Sequence, residues 1–433
     1  MSPLARLMAA RGYEVLGSDR GYDMGRNKPL FDLLQREGIT LVPQDGSGVD
    51  NSINTFVVTR AVEASVPDIK RALELNLNVL KRPRFMAEVF KDTQNIAVGG
   101  TSGKSTTTGM VGHILRTVGK DPTIMNGAVM INGNANFLRG NSNLAVFEAD
   151  ESDGFEDVIS VCPAAVAVLT NISLDHFELD ELKEMFSAYL RKAPLGAVLN
   201  ADCATSMELR GVNPRTVTFG LSSEADYSLA RIRPELSIPG EHNKLNALAA
   251  IAACSLVAVS VEQSLEALKS FQGIKRRLEV VGEAGGIRVI DDFASNPGKI
   301  EASLKVAIAH SKRTFVIFQP HGFQPTKMMK DGYIETFAAT LRPQDVLIMP
   351  DIFYVGGTAN IVNGEVVALP KDVSSQDVTG PVATRGKEAH YIPNRSDILP
   401  FLKERCVAGD AIIVMGSRDE SLSDFAREIA ALL

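Results

Sequence analysis

The sequence predicts an α/β protein whose sheets are mostly parallel and covered by helices. Three observations carry that prediction. Short apolar runs alternate with helical spacing along the whole chain, the pattern of strands buried on both faces between crossover helices. Residues Asn95 to Thr108 read as an apolar strand, a glycine-rich turn, Lys-Ser and a helix start. Two breaks, near Lys91-Asp92 and near Phe271-Gln272-Gly273, divide the 433 residues into three parts, each long enough to bury its own core.

The buried strands are expected at Val15-Leu16, Phe56-Val57-Val58, Val79-Leu80, Ile96-Ala97-Val98, Leu144 to Phe147, Ala165 to Leu169, Ala197-Val198-Leu199, Phe315 to Phe318, Val346 to Met349 and Ile412-Ile413-Val414. At the start, Pro3 suits a first helical turn, Leu4, Leu7 and Met8 form an apolar stripe, and Gly12 ends the helix. Tyr13 to Asp19 then reads as a strand closing on Ser18 and an acidic residue. In a dinucleotide-type domain a first strand and a glycine-rich loop come before that point, and residues 1–12 hold neither. Either the true start lies upstream of Met1, or this domain binds its ligand with fewer contacts.

The stretch at Gly99 to Ser105 is built for a nucleoside triphosphate. Glycines let backbone N–H groups approach phosphates, and the helix N-terminus adds donors and positive dipole character. Lys104 would neutralise the terminal phosphates, and Ser105 would offer its hydroxyl to Mg²⁺. The general spacing asks for a glycine at position 98, where Val98 stands. Met110, Val111, Ile114, Leu115 and Val118 recur at helical spacing behind the loop.

Further blocks follow in order. Leu144 to Phe147 runs into Glu148-Ala149-Asp150-Glu151-Ser152-Asp153. Carboxylates at the carboxyl end of a strand suit Mg²⁺ beside Ser105; alone, they would read as a solvated acidic loop. After the strand at 165–169 comes Asn171 to His176, where His176 could ligate a second metal ion. In Gly240 to Asn246, Asn243 and Asn246 share one face of a first helical turn, or cap it. Arg277 could clamp phosphate and Asp292 could accept from a ribose hydroxyl, or both could serve ion pairing between domains. Phe318-Gln319-Pro320-His321-Gly322-Phe323 ends a strand in a polar tip, either a substrate loop or an ordinary turn.

Composition narrows the partners. Hydrophobic content of 45% and charged content of 22% mark an ordinary globular protein. A net charge of −7 argues against nucleic acid. The four cysteines, Cys162, Cys203, Cys254 and Cys406, form no C-x-x-C pair and read as free thiols in a reducing cytoplasm. The longest apolar run, 247–259, falls short of a membrane span.

Taken in order, these blocks resemble the Mur ligase family, which forms amide bonds with ATP in peptidoglycan synthesis. The family's G-T-x-G-K-[ST]-T stands here as Gly100-Thr101-Ser102-Gly103-Lys104-Ser105-Thr106, a loop that lacks the first glycine and so accounts for Val98. Glu148 to Asp153, Asn171 to His176, Gly240 to Asn246 and Gly273 to Arg277 resemble two branches equally. One adds an L-alanine-like amino acid to UDP-N-acetylmuramate; the other recycles murein peptide.

The resemblance implies a Rossmann-like N-terminal domain for the UDP-sugar (1–92), a central P-loop ATPase domain (93–273) and a Rossmann-like C-terminal domain for the amine (274–433). It implies ATP and Mg²⁺, with Lys104 on the phosphates, Ser105 and Glu148 on one Mg²⁺, and Glu148 and His176 on a second. Lys104, Glu148 and His176 would be the catalytic set. Asn243 and Asn246 would contact the adenine side, and Arg277 and Asp292 would close over the nucleotide. Ser18, Asp19, Asn126, Gly127, Asn134 and Ser152 would line the sugar-nucleotide path, and His321 the amine site. The partners implied are a UDP-sugar carboxylate and an amino acid or peptide amine, with the protein a cytoplasmic monomer or homodimer and neither nucleic acid nor membrane involved.

Two departures fall on the acceptor side. Asp291-Asp292-Phe293-Ala294 is followed by Ser295-Asn296-Pro297 where the family has His-His-Pro. Gly322 and Pro325 stand where the alanine-adding branch has arginines suited to a carboxylate. Lys327 offers only a point charge. The altered loop also leaves room for another acid and amine pair, or for a nucleotide-binding scaffold or regulator that has lost ligation.

Overall fold

A computed structural model describes residues 1–59, 62, 65–150, 164–173, 178–354, 360–362, 365–367 and 372–433. His176 and Ser152 lie outside the described residues. The chain divides into two compact units, 1–274 and 275–433.

The first unit is organised by an eight-stranded sheet. Its order is Tyr227–Ser228, Thr216–Gly220, Gly196–Asn200, Ala164–Leu169, Gln94–Gly99, Leu144–Glu148, Thr123–Met130 and Ala135–Leu138. Every pair is parallel except the last. Ile96, Ala97 and Val98 are at most 1% exposed, as expected of a central strand covered on both faces. The helices Lys104–Thr117 and Glu241–Ser255 pack against each other on one face. Residues 247–253 of the second are fully buried, so the long apolar run is a core helix. Helix Leu179–Arg191 covers the other face with Leu182, Met185, Phe186 and Leu190.

The N-terminal segment forms two separate parallel pairs, Val15–Ser18 with Ile39–Val42 and Phe56–Val58 with Val79–Lys81. No strand among the described residues joins them. Helix Ser2–Ala10 runs as its Pro3 start and Gly12 stop predict, with Gly12 at φ +87°. Its Leu4 and Leu7 do not pack into a core of their own. They join Met86, Phe90, Phe137 and Phe147 in the layer beneath the eight-stranded sheet, which makes residues 1–274 one compact unit.

The second unit carries a six-stranded sheet in the order Glu279–Ala284, Ile287–Asp292, Asp410–Met415, Arg313–Phe318, Val346–Met349 and Glu388–Tyr391. Only the first pair is antiparallel, and it turns at Gly285-Gly286 with φ of +56° and +74°, the double positive φ that a two-residue hairpin requires. Phe315 to Phe318 and Ile412 to Met415 are fully buried. Helices on both faces bury about 1.5–3 kcal/mol of transfer free energy per large apolar side chain.

Candidate functional site

The strand Gln94–Gly99 lies between Leu144–Glu148 and Ala164–Leu169, although both neighbours come later in the chain. It is therefore a switch point, where open α/β sheets place ligands at the carboxyl ends of their strands. Val98 pairs with Glu148 and Gly99 with Leu169. The register thus delivers the glycine-rich loop, Glu148 and the segment 170–173 to the same edge.

The loop needs its glycines for space as well as backbone freedom. Gly100 has φ +118°, and a Cβ there would sit 2.3 Å from Thr170 Oγ1. Gly103 has φ +86° and precedes the helix Lys104–Thr117; its Cβ would sit 2.5 Å from Asn246 Oδ1. Side chains from the next strand end brace the loop. Thr101 N–H donates to the Asn171 carbonyl at 3.1 Å. Ser102 N–H donates to Asn171 Oδ1 at 3.0 Å, while Asn171 Nδ2 donates back to the Ser102 carbonyl at 2.9 Å. Thr170 Oγ1 donates to the same carbonyl at 2.6 Å. Asn200 Nδ2 holds the Thr170 carbonyl at 2.9 Å. Asn171 was legible only as part of a motif after a strand; its bracing role required the fold.

Lys104 Nζ donates to the Gly100 carbonyl at 2.8 Å and lies 3.9 Å from Asp150 Oδ1. Ser105 and Thr106 are buried in the first helical turn. Glu148 Oε1 accepts the Gly127 N–H at 2.6 Å, and a Cβ at Gly127 would meet that carboxylate at 2.8 Å. Asn126, next to it, donates from Nδ2 to the Ser105 carbonyl at 2.9 Å and is 2% exposed. Asn126 and Gly127 therefore tie the Glu148 strand end to the phosphate-loop helix.

Asn243 and Asn246 do share a helix face, with Asn246 Nδ2 donating to Asn243 Oδ1 at 3.4 Å. Neither is a helix cap: Gly240 holds that position, and Asn243 Nδ2 donates back to the Pro239 carbonyl at 2.6 Å. Thr107 Oγ1 donates to Asn246 Oδ1 at 3.3 Å. Ser18 hydrogen-bonds Asp68, and Asp19 Oδ1 accepts Gly21 N–H at 2.7 Å. Asn134 sits exposed in the turn between two strands at φ +48°.

In the second unit Asp292 is 5% exposed and accepts three donors: Leu278 N–H at 2.8 Å, Ala294 N–H at 2.9 Å and the Ser303 hydroxyl at 2.9 Å. Arg277 lies 5.2 Å above the Phe293 ring centroid. Arg276 reaches the Gly416 carbonyl at 2.6 Å and Asp291 at 3.4 Å. Burial pushes the Asp291 carboxyl above its ordinary value, against the pull of Arg276. His321 Nδ1 lies 3.0 Å from the Ser417 hydroxyl. Burial, and secondarily the Arg418 charge, hold its imidazole below the ordinary 6.5. Gly322 starts the helix Phe323–Thr340 at φ +69°. Lys327 is paired with Asp372 at 2.5 Å. Among the described residues no three metal-ligating side chains cluster, and no helix is long and apolar enough to cross a membrane.

A helix-covered parallel sheet that presents a glycine loop, a lysine and a carboxylate at its switch point defines a nucleotide-binding α/β protein of the P-loop class. Models of the Mur ligase family match in chain order: the catalytic domain over residues 1–94, the middle domain over 98–254 and the glutamate ligase domain over 276–418. The chain belongs to the Mur ligase family, whose members are ATP-dependent ligases. Among its relatives, a UDP-N-acetylmuramate–L-alanine ligase of Geotalea daltonii is 31% identical, covering 96% of this chain and 92% of that protein. One from Geobacter sp. is 32% identical over the same shares. Among solved structures, the UDP-N-acetylmuramate–alanine ligase of Thermotoga maritima aligns with TM-score 0.79 at 24% identity, covering 100% of this chain and 96% of that one. A murein peptide ligase of Psychrobacter arcticus gives 0.67 at 23% identity, with the same coverage. These two likenesses speak to the fold, which is that of the family's mixed α/β, three-domain ligases.

Proposed function

We propose that this protein joins the carboxylate of UDP-N-acetylmuramate to L-alanine at the expense of ATP, in the cytoplasmic synthesis of peptidoglycan precursors. The observation that carries the reading is the braced loop Gly100–Gly103, with Lys104 across it and Glu148 at the neighbouring strand end. In this reading residues 1–92 hold the sugar nucleotide, 93–273 the ATP and 274–433 the amine.

A carboxylate is a poor electrophile. Transfer of the γ-phosphoryl group forms an O–P bond to the carboxylate and breaks the β–γ bridge, releasing ADP and leaving an acyl phosphate. The neutral amine nitrogen then attacks the carbonyl carbon, a tetrahedral intermediate forms, and phosphate departs. The protein's part is positioning and charge stabilisation. Lys104 serves the phosphates. One of its partners, the Gly100 carbonyl, is a neutral acceptor that an incoming phosphate oxygen outcompetes.

The donor set also fits Mg²⁺. Ser105 and Glu148 offer hard oxygens, and Glu148 keeps one carboxylate oxygen, Oε2, unused among the described residues. Mg²⁺ bound there would neutralise charge on the transferring phosphoryl group. The assignment of His176 to a second ion rests on its motif alone. Asn243 and Asn246 are assigned to the adenine side, Arg277 to the nucleotide with Asp292 acting through the turn that carries it, and Ser18, Asp19, Asn126, Gly127, Asn134 and Ser152 to the sugar nucleotide. Three donors already converge on Asp292, so its contribution is to hold the turn that carries Arg277.

The test is phosphate release from ATP with UDP-N-acetylmuramate and a panel of amines: L-alanine, other amino acids and murein tripeptide. L-alanine-dependent phosphate is the expected result. Tripeptide-dependent phosphate alone would move the protein to the recycling branch. No amine-dependent phosphate from any pairing would sink the ligase reading and leave a nucleotide-binding scaffold or regulator.

A further inference from the structure

The second unit lacks both arginines expected in the loop after Phe318, where Gly322 and Pro325 stand. An amino acid's carboxylate needs a cation there or nearby. Lys327 is already paired with Asp372.

A neighbouring strand end supplies a cation. Strands Arg313–Phe318 and Asp410–Met415 are parallel neighbours, with Phe318 opposite Met415. Their carboxyl ends therefore open on the same edge, the side on which α/β sheets place ligands. The two loops that follow are locked together. Gln319 N–H donates to the Met415 carbonyl at 3.0 Å. Gly416, at φ +154°, passes so close that a Cβ would meet the Gln319 carbonyl at 2.7 Å. The hydroxyl of buried Ser417 lies 3.0 Å from His321 Nδ1.

Arg418 comes next. Its φ is +66°, a left-handed conformation that costs a residue with a Cβ energy. It is exposed, and among the described residues no hydrogen bond, ion pair or ring contact involves its guanidinium. The adjacent carboxylate does not claim it, since Asp419 is held by Arg395 at 3.2 Å and by Ser421. Burial, chiefly, and then the Arg418 charge hold the His321 imidazole below its ordinary value, so the guanidinium lies near that ring. A second group in the same loops is also unsatisfied. Gln319 is 7% exposed; its Nε2 donates to the Asp351 carbonyl at 3.1 Å, while its Oε1 is buried with no partner among the described residues. A buried acceptor without a donor is unfavourable, and a ligand N–H would satisfy it.

We infer that Arg418 binds the carboxylate of the amine substrate and that Gln319 Oε1 accepts a hydrogen bond from its amino group, so that the loop 416–418 takes over the acceptor role of the arginines missing at 322 and 325. This rests on the amino-acid ligase reading above. A guanidinium presents a planar fork that matches a carboxylate bidentately. The left-handed backbone at Arg418 fixes where that fork starts.

The test is steady-state kinetics of the full chain with ATP and UDP-N-acetylmuramate, varying L-alanine. Arg418→Gly removes the guanidinium and relaxes the backbone, since glycine adopts φ +66° freely, so the variant is expected to fold. Its KM for L-alanine should rise roughly 10–100-fold, the loss of a charge-assisted hydrogen bond, with kcat within about 2-fold and KM for ATP unchanged. Arg418→Lys should fall between, as a point charge. L-alaninamide, which lacks the carboxylate, should be used equally by wild type and Arg418→Gly. An unchanged KM for L-alanine in Arg418→Gly overturns the inference while leaving the ligase reading intact. A rise in KM for ATP instead assigns the guanidinium to phosphate and also overturns it. A wild type that makes no phosphate with any α-amino acid overturns both.

Discussion

Lys104 Nζ donates to the carbonyl of Gly100 at 2.8 Å, so the helix's first residue reaches back across the loop that precedes it. The cation is positioned before any phosphate arrives. Lys104→Ala should reduce amine-dependent phosphate release by about 10²–10³-fold or more, the effect of removing one charge-stabilising donor. The thermal midpoint should stay near that of wild type, because the lysine contributes no apolar core. Retained turnover would refute its role.

Gly100 admits no side chain. Gly100→Ala would place a methyl 2.3 Å from Thr170 Oγ1 and force φ +118° on an L-residue. A cost of about 1–3 kcal/mol in stability follows. Nucleotide affinity should fall with it, because Thr170 also holds the Ser102 carbonyl. Equilibrium denaturation and nucleotide titration of the same variant check both.

Glu148 separates binding from folding. Among the described residues its carboxylate is held by one backbone N–H, that of Gly127 at 2.6 Å, and Glu148→Gln can keep that bond through its amide oxygen. The fold should persist, while activity drops about 10²–10³-fold and the Mg²⁺ concentration for half-maximal rate rises. An unchanged Mg²⁺ dependence would remove Glu148 from the metal site.

Asp292 is expected to behave as a structural anchor. With two N–H donors and a hydroxyl converging on it, Asp292→Asn leaves at least one donor mismatched and should cost about 1–3 kcal/mol. KM for ATP should change little once the variant is folded. A large rise in that KM at unchanged stability would instead give Asp292 a direct nucleotide contact.

Stability should depend on pH through two histidines. Burial holds both His113 and His321 below the ordinary 6.5. The unfolded chain therefore takes up protons first as pH falls, and stability is lost between 6.5 and the lower folded values, then levels off. Above 6.5 the contribution is fully present. Denaturation midpoints across that window, compared with those of His113→Gln and His321→Asn, should show the slope flattening in each variant.

Much of the frame is local chemistry and could be read in order along the chain. The strands at 96–98, 165–169, 315–318 and 412–414 stand where continuous apolar runs put them, because a strand buried on both faces has no polar position to spare. The phosphate loop declares itself through glycines whose φ angles no other residue adopts cheaply. The antiparallel pairs did not declare themselves. Thr123–Met130 is broken by Asn126-Gly127, which face the site rather than the core. Glu279–Ala284 has no fully buried residue and depends on the hairpin at Gly285-Gly286.

By itself, then, the sequence determined the α/β class, the nucleotide loop and the family, since each rests on residues within a few positions of one another. Only the tertiary structure decided which groups meet across the chain. Asn171 braces Ser102 from 69 residues away, Leu4 and Leu7 join the layer that holds Phe147, and Ser417 reaches His321 across 96 residues. Such contacts are set by strand order and register, which place distant carboxyl ends on one sheet edge. No periodicity along the sequence encodes that order.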